Sequence, residues 1–163
     1  MVKKSSLSLA FILLFFFSFG KNLWSQSSLS GKGLEMSDYK KLGLTVVMPG
    51  DYGTLLDLDK ERVSIKCKLK FSQSDITLAE PDRAEAILLV KIDIEDLAYH
   101  IGLDFSRSVT YSVPNKGDFN VEGITWSLST TGTHEDSAGI IMLALDELLD
   151  NFLDQYLEVN QRN

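Results

Sequence analysis

An α+β fold, with a mainly antiparallel sheet carrying a helical layer on one face, is predicted by three features of this sequence. Residues 86–95, 99–113 and 124–130 alternate apolar and polar side chains with the period of two expected of half-buried strands. After Gly132 the period changes to three and four, with Ile141, Leu145, Leu148, Phe152 and Tyr156 on one stripe widened by Met142, Leu149 and Leu153. The 138 residues that remain of 163 once an N-terminal export segment is set aside suit one domain with a real core.

That N-terminal segment reads as an address. Lys3 and Lys4 lead an apolar run over residues 7–19, which has the grammar of a secretory signal and lacks the amphipathic stripe of a core helix. It is also short of the about 20 residues that cross a bilayer. Ser18 and Gly20 offer one cleavage point and Ser25 another. Cleavage after Ser25 divides the chain into a signal peptide (1–25), a Ser/Gly-rich flexible leader (26–38), one domain (39–160) and a tail (161–163). A lipid anchor needs a cysteine directly after the cut, and the sequence has only Cys67, so no stable membrane insertion is expected after signal removal. Loss of Lys3, Lys4 and Lys21 takes the net charge from −7 to −10, which repels phosphate backbones and argues against a nucleic-acid partner. Cys67 cannot pair within the chain, and its neighbours at four-residue spacing, Val63 and Phe71, point to burial.

Within the domain, the β-branched run 42–48 predicts a first strand, broken by Pro49-Gly50-Asp51-Tyr52-Gly53. Residues 63–71 are ambiguous. Val63, Ile65, Cys67, Leu69 and Phe71 alternate like a strand, yet Val63, Cys67 and Phe71 share a helical face behind Asp57 or Asp59 as N-cap and Glu61 in the first turn. A short strand is expected at 76–78, closed by Glu80-Pro81. A hairpin through residues 95–98 pairs the first two alternating runs, and Pro114-Asn115-Lys116-Gly117 turns the chain into the third, where Ile124, Trp126, Leu128 and Thr130 face one way. Asp136 or Ser137 caps the closing helix.

Glu61-Arg62-Val63 opening a helix, Ile124-Thr125-Trp126 before a Gly/Ser/Thr loop, and Phe152-Leu153-Asp154-Gln155-Tyr156-Leu157-Glu158-Val159-Asn160 at the end resemble a group of small exported bacterial proteins of unknown function. The resemblance implies that residues 59–72 are helical. The fold is then β-α-β-β-β-β-α, a two-layer α/β sandwich with a mixed, mainly antiparallel sheet and both helices on one face. At fold level it is also similar to the α/β modules of cell-envelope accessory proteins, including the amino-terminal domain of TolB.

Chemistry is sparse. His100 and His134, with nearby acids, are the acid/base or metal candidates, but no His-Glu-x-x-His spacing is present, and no catalytic residue, metal site or cofactor is assigned. Gly-x-Ser-x-Gly, Gly-x-Gly-x-x-Gly and P-loop patterns are absent. The outward sheet face is small and polar, and His100, Asp104, Ser106, Ser108 and Thr110 are the candidate binding residues, because hydroxyl side chains leave a flat sheet open to a partner. The reading is a non-enzymatic cell-envelope binding or accessory module, periplasmic or secreted, with an envelope protein as partner. The alternative is a small extracytoplasmic hydrolase in which His134 and His100 converge with carboxylates.

Overall fold

The structure, a computed structural model, describes residues 31–38, 41–50 and 56–161. The expected signal peptide, its cleavage site and the first part of the leader lie outside the described residues. Four strands lie side by side in chain order: β1 (Leu42–Val47), β2 (Ala86–Glu95), β3 (Ala98–Val113) and β4 (Gly117–Thr133). β1 and β2 are parallel and joined by the helix α1 (Lys60–Gln73), whereas β2, β3 and β4 form an antiparallel meander. The helix α2 (Ala138–Asn160) closes the fold, giving the expected two-layer α+β arrangement with one strand fewer than expected.

The missing strand is residues 76–78. Ala79 N–H reaches Leu42 O at 2.8 Å, but no ladder with β1 follows. Pro81 has no N–H and opens a one-turn 3₁₀ helix (Pro81–Arg83), so the chain turns away after a single bond.

The ambiguous segment is helical. Asp59 accepts from Arg62 N–H at 2.7 Å as the N-cap, and the fully buried side chains of α1 are Val63, Cys67 and Phe71, four apart. Ile65 and Leu69, which made the alternation look like a strand, are 59% and 55% exposed. On its flank, Lys66 and Lys70 clasp α2: their ammonium groups approach Asp146 Oδ1 at 2.8 and 3.1 Å, and Lys70 also meets Asp150 at 2.7 Å.

A second correction concerns β4. Phe105 pairs with Trp126 but Ser106 pairs with Ile124, so Thr125 is an extra residue, a β-bulge that reverses the facing of everything before it. Trp126 is therefore buried while Ile124 is exposed on the opposite face.

The core lies between sheet and helices. Leu88, Val90, Ile92, Ile101, Leu103 and Phe105 meet Ile141, Leu145, Leu148, Phe152 and Tyr156, and Phe152 packs edge-on to Phe71 and Trp126. At about 1.5 to 3 kcal/mol per buried large side chain, this layer contact dominates stability. Ser137 is the N-cap of α2 but makes no side-chain capping bond.

The described part of the leader is a strap rather than a loose lead-in. Leu34 is fully buried, Met36 N–H donates to Asn160 Oδ1 at 2.9 Å, and Asn160 Nδ2 donates to Leu34 O at 2.9 Å. Glu85 holds the far end through the Ser37 hydroxyl and the N–H groups of Ser37 and Asp38. Burial works to raise the Glu85 carboxyl, but those three donors prevail and hold it below the usual carboxylate range.

Candidate functional site

The β3–β4 hairpin outruns the rest of the molecule. β2 pairs with β3 only as far as Arg107, whereas β3 and β4 continue together through six further pairs, from Ser108↔Glu122 to Val113↔Gly117. That is an arm of about 20 Å, at the 3.3 to 3.4 Å rise of a strand. The cause is a mismatch of lengths: 16 residues of β3 extend about 53 Å, while the 23 residues of α2 reach about 34 Å. The apolar face of the sheet therefore continues past the end of its roof.

That bare face consists of Val109, Tyr111, Phe119 and Val121. Tyr111 opposes Phe119 and Val109 opposes Val121 across the ladder, and the two rings stack at 5.5 Å with a 23° tilt. Such a pair contributes about 0.5 to 1.5 kcal/mol beyond burial, which helps a two-stranded ribbon that would be marginal alone. Tyr111 stays 48% exposed, Phe119 41% and Val121 42%. The turn at the tip places Asn115 at φ 63° and Gly117 at φ 90°.

The base of the arm is pinned to the strap. Arg107 donates to Glu35 O, and the bulge residue Thr125 donates its hydroxyl to Gly33 O at 2.6 Å. Gly33 has φ 97° and passes so close that an added Cβ would meet Thr125 O at 2.1 Å. Trp126 Nε1–H and Gly31 N–H both donate to Gln155 Oε1. The Thr125-Trp126 and Gln155-to-Asn160 motifs thus converge here, where they hold the strap.

The outward face carries the candidate residues named from sequence, in two groups. Ser108 and Thr110 lie on the arm, with Thr110 donating to Asn120 Oδ1 at 2.5 Å and the neighbouring Ser112 donating to Asp118. Asp104, Ser106 and His100 lie over the body. Asp104 is paired with Lys91 at 2.6 Å and Ser106 donates to Ile87 O, so these side chains are engaged within the sheet. His100 is exposed at the other end of β3, opposite Asp93, in a shallow recess of about 370 Å³ with Glu95 and Thr131.

The two histidines do not meet. His134 is buried, and its ring is committed: Nδ1 accepts from Asp136 N–H at 3.1 Å and Nε2 bonds Asp96 O at 2.8 Å, which makes Nε2 the protonated nitrogen. It ties the β2–β3 turn to the two left-handed residues Glu135 (φ 47°) and Asp136 (φ 57°) before α2. Neither nitrogen is available to a substrate, so the converging pair needed by a hydrolase is not formed. Among the described residues no cluster of three His, Cys, Asp or Glu side chains is placed to hold a metal, and no helix is long and apolar enough to cross a membrane.

Val109, Tyr111 and Val113 continue the parity of the buried residues earlier in β3, so alternation alone does not show that this face is bare. The signal was present in the lengths, since an alternating run of that extent outreaches any helix of the chain.

No protein-family model matches this chain, and no curated protein matches it. Among solved structures it is similar to rare lipoprotein B from Shewanella oneidensis, with 8% identity over 72% of this chain and 90% of that chain. The TM-score is 0.25, too low to bear on fold or role.

Proposed function

We propose that this protein is an exported, non-enzymatic binding or accessory module of the cell envelope, and that it docks an envelope protein through the β3–β4 arm. The carrying observation is the arm itself, a ribbon with Tyr111, Phe119 and Val121 exposed on one face. Export rests on Lys3, Lys4 and the apolar run over residues 7–19. A protein fits better than an anionic membrane because the mature chain is strongly acidic.

The apolar strip covers roughly a few hundred Å², less than the about 800 Å² that each partner contributes to a standard interface. A partner must therefore also engage the ribbon's free edges or its outer face. On this reading Ser108 and Thr110 make the outer contacts on the arm, and Asp104, Ser106 and His100 extend the same face over the body. Free strand edges favour such pairing.

Site-specific photocrosslinking in exporting cells tests the proposal, with the crosslinker at Phe119 and, as a control, at Leu143, which is 62% exposed on α2. A discrete adduct at Phe119 that Val121→Asp abolishes is the expected result. Equal labelling at both positions, or an adduct indifferent to Val121→Asp, overturns the docking role of the arm.

A further inference from the structure

On the opposite side of the molecule, the absent fifth strand leaves an opening. The outer edge of β1 is bonded at Leu42, whose carbonyl accepts from Ala79 N–H. Period-two alternation directs the N–H and C=O groups of Leu44 and Val46 the same way, and among the described residues neither has a backbone partner on that side. Between this edge, α1 and the diverging segment 76–81 lies a groove of about 560 Å³, within the range of binding sites.

Its α1 wall is chemically distinct from the rest of the helix. Lys60, Ser64, Lys68 and Ser72 recur every four residues along it. Lys66 and Lys70 are spent on Asp146 and Asp150 across the helix pair, but Lys60 and Lys68 make no ion pair among the described residues. Two ammonium groups with no ion pair among the described residues, set over the β1 edge, are a specific arrangement in a chain of net charge −7.

We infer that this groove binds an extended acidic peptide segment, which adds as a strand to the β1 edge at Leu44 and Val46 and sets two carboxylates against Lys60 and Lys68. The spacings agree. Eight helical residues separate the lysines by about 12 Å, and residues four apart on a strand are separated by about 13 Å on the same face. The residue midway between the two acids then faces Ser64 and is small and polar. Glu80 at the groove end opposes a third acid beyond Lys68 and so limits the acidic stretch. At physiological ionic strength the Debye length is about 8 Å, so the nearby lysines outweigh the net charge of the more distant surface. This site is independent of the arm.

The test uses the folded mature protein and a fluorescein-labelled peptide, Val-Glu-Val-Ser-Val-Glu-Val, read by anisotropy. Saturable binding is expected, weakened at least tenfold by Lys60→Glu with Lys68→Glu and by replacing both peptide glutamates with glutamine, but unchanged by Lys116→Glu at the arm tip. N-methylating the peptide on alternate amides separates strand addition from simple charge pairing without altering the protein: one parity abolishes binding and the other leaves it intact. Absence of saturable binding, equal tolerance of both methylation parities, or indifference to the lysine reversals overturns the inference. Displacement by inorganic phosphate at the peptide's own concentration does so as well, because the site would then be a mere anion contact.

Discussion

Trp126 donates its indole N–H to Gln155 Oε1 at 3.2 Å, joining β4 to the last turns of α2 where the roofed sheet gives way to the bare ribbon. Phe152 and Tyr156 pack beside this bond, while one residue earlier the bulge at Thr125 turns the strand over. Body and arm therefore differ in what sustains them. The body rests on burial between layers and the arm on a ladder and one aromatic stack.

Core and arm substitutions should separate on that basis. Leu145→Ala or Leu148→Ala removes a fully buried side chain and should cost about 2 to 5 kcal/mol in thermal or denaturant unfolding. Ser108→Ala on the outer face should change stability by less than about 0.5 kcal/mol. Equal, negligible effects would show that α2 does not roof the sheet.

Cys67 should behave as an inert thiol. Burial pushes it up to about 12, so the thiolate that reacts with disulfide reagents is scarce at neutral pH. Labelling should be slow in native protein and fast after denaturant is added. Prompt native labelling would mean that the α1–sheet contact opens readily.

The clasp between the helices predicts a pH dependence. Contact with the Lys66 ammonium, helped by Lys70, holds the Asp146 carboxyl below its ordinary value, while the Asp150 contact holds Lys70 above its own. The depressed acid contributes stability above the unfolded aspartate value of about 3.9 and loses it as pH falls through the lower folded value. The raised lysine contributes below about 10.4 and loses it as pH rises through the higher folded value. Asp146→Asn should therefore cost about 1 kcal/mol across the neutral range, a difference from the parent protein that shrinks at both extremes. A constant difference down to strong acid would refute the pairing.

His134→Ala should destabilise by about 1 to 3 kcal/mol, because it removes a buried ring, takes from Asp96 O and Asp136 N–H their partner and releases two left-handed residues. Hydrogen exchange should report faster opening at the β2–β3 turn and the start of α2. An unchanged exchange pattern there would show that the ring is not the latch.

Much of this architecture was legible locally. The 3.6-residue stripe from Ile141 to Tyr156, the Asp59 cap and the turns at Asp96-Leu97 and Pro114-Asn115-Lys116-Gly117 each carry their cause within a few residues, and each stands where local reasoning puts it. Residues 76–78 have strand composition, but whether an extended segment pairs depends on where the next elements take the chain, and Pro81 takes it away. The bulge at Thr125 was invisible for a related reason: parity is read by counting, and one inserted residue is detectable only against the partner strand. The leader looked loose because Gly and Ser favour flexibility, yet Leu34 is buried with its carbonyl bonded by Asn160, and the Tyr156 hydroxyl donates to Met36 Sδ, from 120 residues away in the chain or more.

By itself the sequence determined the address pattern, the acidic charge, the closing helix, the turn positions and the isolated cysteine, since these follow from composition and short-range periodicity, whereas periodicity left α1 open between strand and helix. Only the tertiary structure decided that His134 is a latch, that α2 stops short of the β3–β4 tip and leaves Tyr111 and Phe119 uncovered, and that among the described residues the β1 edge beneath Lys60 and Lys68 pairs with no strand. Each of these depends on comparing elements distant in sequence: how far a helix reaches against a strand, which groups a ring finds when the chain folds back, and whether a neighbouring segment arrives to fill an edge. Local residue patterns do not contain those distances.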